Sequence, residues 1–338
     1  MENFEVFTIA GKGEIGNKDG SENEATFYSP NGIAVRNDGT IIVADTWNSK
    51  IRGIDLDGNV FTIAGTIAET WRKGDKDGPV NEATFYHPTG IAVRNDGTII
   101  VADSYNNKIR GIDPNGNVFT IAGTGINGNK DGPGNEATFY HPNGIAVRDD
   151  GTIIVSDTVN HKIRGIDPYG NVFTLAGTGR KEDKDGPGNE ASFNTPRGIA
   201  IDNDGTIIVA DTWNRKIRGI DLDGNVFTIA GTGRNGDKDG PGNEATFCYP
   251  NGIAIKNDGT TIIVSDTRSC KIREIDPDGN VYTISDLREK GDKDEPGNEA
   301  TPSGGIAIKN DGTIMITDIY NHKIIGIRMK KLTKSAME

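Results

Sequence analysis

No apolar run in this sequence approaches the roughly 18 residues that a membrane-spanning helix requires, so no membrane span is expected. The opening MENFEVFTIAG holds no basic segment followed by an apolar stretch, and the chain reads as cytoplasmic, without a signal peptide. Positive charge is short: 37 Lys and Arg face 49 Asp and Glu, the net charge is -12, and the only basic cluster is the terminal KIIGIRMKKLTK. An acidic surface repels phosphates, so nucleic acid is not an expected partner. Histidine occurs four times. His87 and His141 hold equivalent loop positions without a third ligand, which makes a poor zinc site, and no metal or other cofactor is expected. There is no G-x-S-x-G elbow and no phosphate-binding glycine loop after a strand. Apolar residues make up only 34%, against 46 glycines, a balance that suits many short strands joined by turns.

Repetition is what the sequence does have. DGTIIVADTWNSKIRGID, from Asp38 to Asp55, is one of six copies written with small changes. Anchored on the Gly of GIAV or GIAI, the copies begin at Gly32, Gly90, Gly144, Gly198, Gly252 and Gly305, spaced by 58, 54, 54, 54 and 53 residues. A period above 50 with several strands per unit predicts propeller blades. Four strands are read in each: GIAV, TIIVAD, KIRGID and VFTIAG, rich in Val, Ile, Thr and Phe. The NDG and DGN turns between them supply the positive φ that tight hairpins need.

The two ends explain each other. After Gly305 the chain supplies three strands and stops, whereas it begins with EVFTIAG, a fourth strand with no preceding three. The expected fold is therefore all-β, a six-bladed propeller of four-stranded antiparallel blades, its ring closed by the N-terminal strand joining the C-terminal blade. An open array would leave strand edges exposed. The expected domain is one propeller over 1–330, with blades at 32–66, 90–124, 144–178, 198–232, 252–286 and 305–328 plus 4–11, followed by a tail at 331–338. A closed ring is expected to be monomeric.

FYSPNGIAV, VADTWNSKIR and DLDGNV, repeated through nearly the whole chain, resemble the NHL repeat. The resemblance implies a six-bladed propeller, most often a binding module for proteins or RNA, with a minority of relatives being lyases or lactonases with a metal in the central channel. Residues 74–125 and 128–179 match at 42 of 52 positions, which points to recent amplification or an engineered repeat.

Five groups of residues are candidates for function. Asp45, Asp103, Asp157, Asp211, Asp266 and Asp318 each end a second strand, where a carboxylate accepts turn N–H groups; a ring of six acids around an axial cation is the competing reading. The DKDGPGNEA loops resemble calcium ligands in composition, but Gly falls fourth, and a turn leading into a short helical NEATF is expected instead. The first strand, which lines the channel, carries no His, Glu or Asp in any blade, and so lacks a channel base or metal ligand. Cys248 and Cys270 replace repeat-typical residues in one blade, on loops of one face, where a disulfide is geometrically open beside the alternative of two thiols. Finally, Trp47, Tyr105, Trp213 and Tyr320 share one repeat position, held by Val159 and Arg268 in the other blades. They surround a channel mouth formed by Asn31, Thr89, Asn143, Arg197, Asn251 and Gly304, and polar groups ringed by aromatics suit ligand recognition.

The sequence leans away from catalysis. It reads as a binding or scaffold propeller that recognises a protein or peptide on the long-loop face, with Trp47, Tyr105, Trp213, Tyr320, Asn31, Asn143, Arg197, Asn251 and Arg268 as its binding residues. The second reading is a six-bladed hydrolase or lyase with a channel site.

Overall fold

Six antiparallel sheets stand around one axis in the computed structural model, which describes residues 4–66, 74–287 and 302–330. The expected 331–338 tail lies outside the described residues. Blade 2 shows the plan. Its inner strand is Pro88–Val93, followed by Ile99–Asp103, Lys108–Ile112 and the outer strand Asn117–Ala122. Each strand pairs with the one before it, so the blade is an up-and-down meander. Its central strands read apolar on both faces because blades pack on both sides of them: Ile99, Ile100, Val101 and Ala102 are all buried. The hairpins at the lower end are tight for the expected reason. Gly39 takes φ 88°, and Asp38 Oδ1 accepts the Thr40 N–H at 2.9 Å.

Cores lie between blades, not within them. Ile42, Ala44 and Ile51 of blade 1 pack on Phe85, Ile99 and Val101 of blade 2, and a like cluster fills the next interfaces around the ring. The last interface closes the circle: Ala10, Met315 and Ile324 of blade 6 meet Phe27, Ile33 and Ile41 of blade 1. Blade 6 is completed by the chain's first strand. Phe4–Ala10 pairs antiparallel with Lys323–Met329, from Phe4 opposite Met329 to Ala10 opposite Ile324.

Two features depart from the expected plan. The loop entering a blade adds a two-residue edge strand, so blades 2 to 5 are five-stranded: Gly78–Pro79, for instance, pairs with Asn117 and Val118. The NEATF segment is a single turn, not a helix, with the Ala83 N–H donating to Pro79 O at 2.8 Å. Proline opening that turn leaves no room for a longer helix before Phe85 must dive into the interblade core. In blade 1 the equivalent Ala25 and Phe27 are both fully buried.

Around the axis the inner strands approach so closely that one side-chain type is obliged. A Cβ at Gly90 would lie 1.9 Å from Asn143 O, and at Gly144, 2.1 Å from Arg197 O. The repeat's fixed glycine is thus a contact between blades.

Deleting residues 1–11 should remove strand Phe4–Ala10, together with Val6, Ile9 and Ala10 from the interblade clusters. We expect the truncated chain to lose about 3–6 kcal/mol, two apolar side chains' worth of burial, and to associate through the bared edge of Lys323–Met329. Chemical denaturation and size-exclusion chromatography check this, and an unchanged midpoint with monomeric elution would refute ring closure.

Candidate functional site

The upper face is built by the turn between second and third strands. Thr46–Asn48 is one turn of 3₁₀ helix, ended by Ser49 at φ 52°. Its footing is Asp45, which is fully buried. Asp45 Oδ1 accepts the Tyr28 N–H at 2.8 Å, and Oδ2 accepts Asn48 Nδ2 and Arg52 Nη1, each at 2.8 Å. Arg52 also donates to Thr26 O and Lys18 O, pairs with Asp19, and lies 5.2 Å from the centre of the Phe27 ring. One guanidinium therefore ties the third strand to the second strand and to the entering loop. Arg110, Arg164, Arg218 and Arg273 repeat the arrangement with Asp103, Asp157, Asp211 and Asp266. Burial pushes the Asp45 carboxyl up to about 6, against the Tyr28 N–H, the Asn48 amide and the Arg52 charge, so it is ionised at neutral pH.

This overturns the axial-cation reading of the aspartates. Their carboxylates point into the blades and are filled by arginine, and their main N–H donor is the distant loop residue, not their own turn. In blade 6, Asp318 takes the Asn321 N–H and amide instead. Among the described residues no group of three His, Cys, Asp or Glu is placed to hold a metal.

Neighbouring turns latch to one another. In blades 1 to 5 the residue before the proline that leads into the inner strand has positive φ, at Ser29, His87, His141, Thr195 and Tyr249. Its N–H points at the residue ending the previous blade's turn: His141 N–H donates to Asn107 Oδ1 at 3.0 Å, Thr195 N–H to His161 Nδ1 at 3.0 Å, and Ser29 N–H to His322 Nδ1 at 3.1 Å. Burial pushes the His161 imidazole below its ordinary value, helped by the Lys181 charge, and burial does the same to His322. Both imidazoles accept through Nδ1, so both must be neutral.

On these latches sit the rings. Trp47, Tyr105 and Trp213 are about half exposed and Tyr320 is 69% exposed. Trp47 and Tyr105 are joined through His87, at 4.7 and 4.6 Å between ring centres. Tyr28, Tyr86 and His141 extend this into an arc over blades 1 to 3, and His322 meets Tyr28 edge-on. Across the mouth, Trp213 meets Tyr249 at 5.3 Å, and Arg268 and Arg215 lie over the same Tyr249 ring at 4.2 and 5.3 Å. The sequence signalled the four equivalent rings and Arg268. It gave no role to His87 or His141, whose only mark was their place before proline, and none to Tyr28, Tyr86 or Tyr249.

Asn31, Asn143 and Asn251 line the mouth as expected, and Arg197 takes the same repeat position. Below them, isoleucines and glycines from all six inner strands leave a cavity of only 60 Å³. No disulfide joins Cys248 and Cys270. Burial pushes the Cys248 thiol up, the nearby Asp266 adding to the effect.

Comparison with known proteins agrees with this architecture. The NHL repeat pattern matches residues 27–54, 85–112, 139–166 and 193–220. The chain is 32% identical, over 64% of its length, to Protein SUPPRESSOR OF QUENCHING 1, chloroplastic, from Arabidopsis thaliana, covering 27% of that protein. It is 30% identical, over 80% of its length, to human NHL repeat-containing protein 2, covering 42% of it. It thus spans less than half the length of either relative. A Bacteroides thetaiotaomicron auxiliary nutrient binding protein shares the fold with a TM-score of 0.71 at 13% identity, covering 98% of this chain and 78% of that one. A streptogramin B lyase does so with a TM-score of 0.60 at 15% identity, covering 97% and 98%.

Two outcomes follow for this face. Arg110→Met should strand Asp103 without its cation and release the loop carbonyls of Lys76 and Thr84. We expect a loss of about 3–5 kcal/mol, as for other broken buried pairs, partly regained in Arg110→Met with Asp103→Asn, read by chemical denaturation. His161→Asn should keep an acceptor for Thr195, as Asn107 does for His141. A histidine whose folded value lies below its unfolded one contributes stability that is full above the unfolded value of 6.5 and is lost as pH falls through it. The variant should therefore gain on the native protein by about 2 °C in melting temperature between pH 7.5 and 5.5, for one hydrogen bond of about 1 kcal/mol. A difference independent of pH would refute the neutral latch.

Proposed function

We propose that this chain, an NHL-repeat protein folded as a six-bladed propeller, is a binding module that recognises a protein or peptide on its upper face and catalyses no reaction. The observation that carries the reading is the set of half-exposed rings at Trp47, Tyr105 and Trp213, with Tyr320, standing on a scaffold that is otherwise nearly uniform from blade to blade. Exposed aromatics held rigidly by their neighbours suit partner recognition, since little side-chain freedom is lost on binding. Variation at one position among near-identical blades supports an asymmetric partner. The lower face offers short hairpins whose aspartates are occupied by their own turns, as Asp55 is by the Asn59 N–H and amide. The chain acts as a monomer in this reading, since its own first strand completes the last blade and closes the ring. A cytoplasmic setting belongs to the same reading; no helix among the described residues is long and apolar enough to cross a membrane.

The hydrolase or lyase reading draws on the likeness to a streptogramin B lyase and to a Xanthomonas campestris gluconolactonase. The channel argues against it. Its 60 Å³ is lined by isoleucine side chains, glycine backbone and Asn31, Asn143 and Asn251, with no acid and no histidine among them.

Replacing Trp47 and Trp213 by Ala, alone and together, tests the reading. Both side chains are half exposed, so each change should alter stability by no more than about 0.5 kcal/mol. Peptide and glycan arrays probed with the native protein should return peptide hits that weaken at least about tenfold in the double variant, the loss of roughly 1.4 kcal/mol of ring contact. Hits that persist undiminished, or that map to the lower hairpins, would overturn it.

A further inference from the structure

Five arginines of this protein are fully buried, and each is neutralised twice. Arg52 pairs with Asp45 and Asp19, and Arg110 with Asp103 and Asp77. Arg197 is built differently. It stands at the channel mouth, where the other blades place Asn31, Thr89, Asn143 and Asn251. Its backbone is pinned there, because Arg197 O accepts Ser156 Oγ at 2.6 Å and is crowded by Gly144. Its Nε is buried without a hydrogen-bond partner, as it is in Arg52 and Arg110, but unlike them it has no carboxylate paired with its side chain among the described residues. Burial pushes its proton affinity down, and the titratable group that acts on it is the Tyr320 phenol, two blades away, rather than an acid. In a chain of net charge -12, this cation sits half-buried with no counter-ion among the described residues.

An unpaired, partly desolvated charge costs free energy that an incoming anion regains. Its surroundings fit one. The half-buried Asn31 and Asn143 amides flank the mouth, and Arg215 and Arg268, both over Tyr249, make that sector of the rim positive. The sector opposite is the aromatic arc of Tyr28, Trp47 and Tyr105.

We infer that the mouth is an anion subsite, in which the Arg197 guanidinium takes an oxyanion, carboxylate or phosphate, presented by the peptide that lies on the rings. The assignment of the partner as a peptide rests on the function proposed above; the subsite itself does not. Arg197 supplies a planar pair of donors suited to two oxygens of one group, and the neighbouring amides supply uncharged donors beside them. A ligand anchored in this way places its charge on the axis and its apolar part on blades 1 to 3.

The test separates the subsite from the peptide. Thermal melts of the native protein and of Arg197→Gln are compared in sodium chloride, sodium glutarate and sodium phosphate at equal ionic strength and pH. Glutarate or phosphate should raise the native melting temperature by about 2 °C, the effect of an anion at roughly ten times its dissociation constant, and should leave Arg197→Gln unmoved. The larger of the two shifts identifies the group. Arg197→Gln should melt at or above the native temperature in chloride, which shows that it folds. Peptides returned by the arrays are then remade with Gln for Glu, or Ser for phosphoserine. The change should weaken native binding at least about tenfold, the worth of one charge-assisted hydrogen bond, and binding by Arg197→Gln less than about twofold. Equal melting shifts in both proteins, or none in either, would overturn the subsite, whatever the arrays return. Hits that depend on Trp47 and Trp213 but not on their acidic residues would overturn its link to the peptide and leave the proposed function standing.

Discussion

A single buried guanidinium organises each of five blades. Arg52 and its four counterparts lie where the third strand, the end of the second strand and the entering loop converge, and each binds its aspartate there. Burying such a pair earns little net stability by itself, because desolvation offsets most of the attraction. What it provides is position. The loop has few apolar residues of its own and would otherwise be free to wander; hydrogen bonds to the carbonyls of residues 18 and 26 fix its course over the blade. Phe27 can then enter the interblade core, and Ser29 arrives at the angle that lets its N–H reach His322. The aromatic face rests on this sequence of contacts.

Blade 6 shows the constraint by relaxing it. Where the other blades write KIRGI or KIREI, this one writes KIIGI, with Ile325 in place of arginine. The same blade's entering segment reads EATPSGG, without the FYHP or related stretch that supplies the phenylalanine elsewhere. Arginine and the ring beneath it have gone together, as expected if neither is useful alone. Ile325 joins the cluster between blades 5 and 6, and Asp318 turns to Asn321. A similar exchange occurs on the outer face. Phe61 covers Gly53 closely enough that a Cβ there would fall 2.4 Å from its ring, and where Glu274 replaces that glycine, Tyr282 replaces the phenylalanine opposite.

The fold was legible because its signals are local. Strand alternation, Asp-Gly hairpins, a fixed period and two complementary chain ends each follow from a few consecutive residues, and together they give six blades and their closure. The arginine clamp was not legible. KIRGI reads as a strand with two polar residues turned to water, and only the sandwiching of every central strand between blades makes Arg52 a buried residue. Its partners lie 7 to 34 residues away, at the end of the second strand and in the entering loop, beyond any periodicity. The same holds for the upper face. Equivalent positions revealed Trp47, Tyr105, Trp213 and Tyr320, because their side chains project from a turn whatever surrounds it. The contributions of His87, Tyr28 and Tyr249 depend on adjacent blades coming together, which no single repeat encodes. The extra two-residue edge strand was missed for a simpler reason: Gly-Pro is the composition of a turn, and it pairs only because a neighbouring outer strand offers free backbone groups.

Near-identity among blades divides this protein into parts that symmetry dictates and parts that it leaves free. Glycines at the axis cannot vary, since each touches the carbonyl of the next blade. The aspartate recurs in all six blades and the arginine in five, as one clamp requires. On the upper face three positions vary: Asn, Thr, Arg or Gly at the mouth, an aromatic, Val or Arg on the turn, and His, Ser, Thr or Tyr before the proline. None of these is needed for a blade to fold, because different blades fold alike with different choices. Arg197 departs furthest, placing a charge where its equivalents place neutral groups, with no carboxylate among the described residues to pair with it. The upper face gathers its variable positions around one axis, with aromatic rings on one side and positive charge on the other, so that neighbouring blades of nearly one sequence can present different chemistry to one ligand.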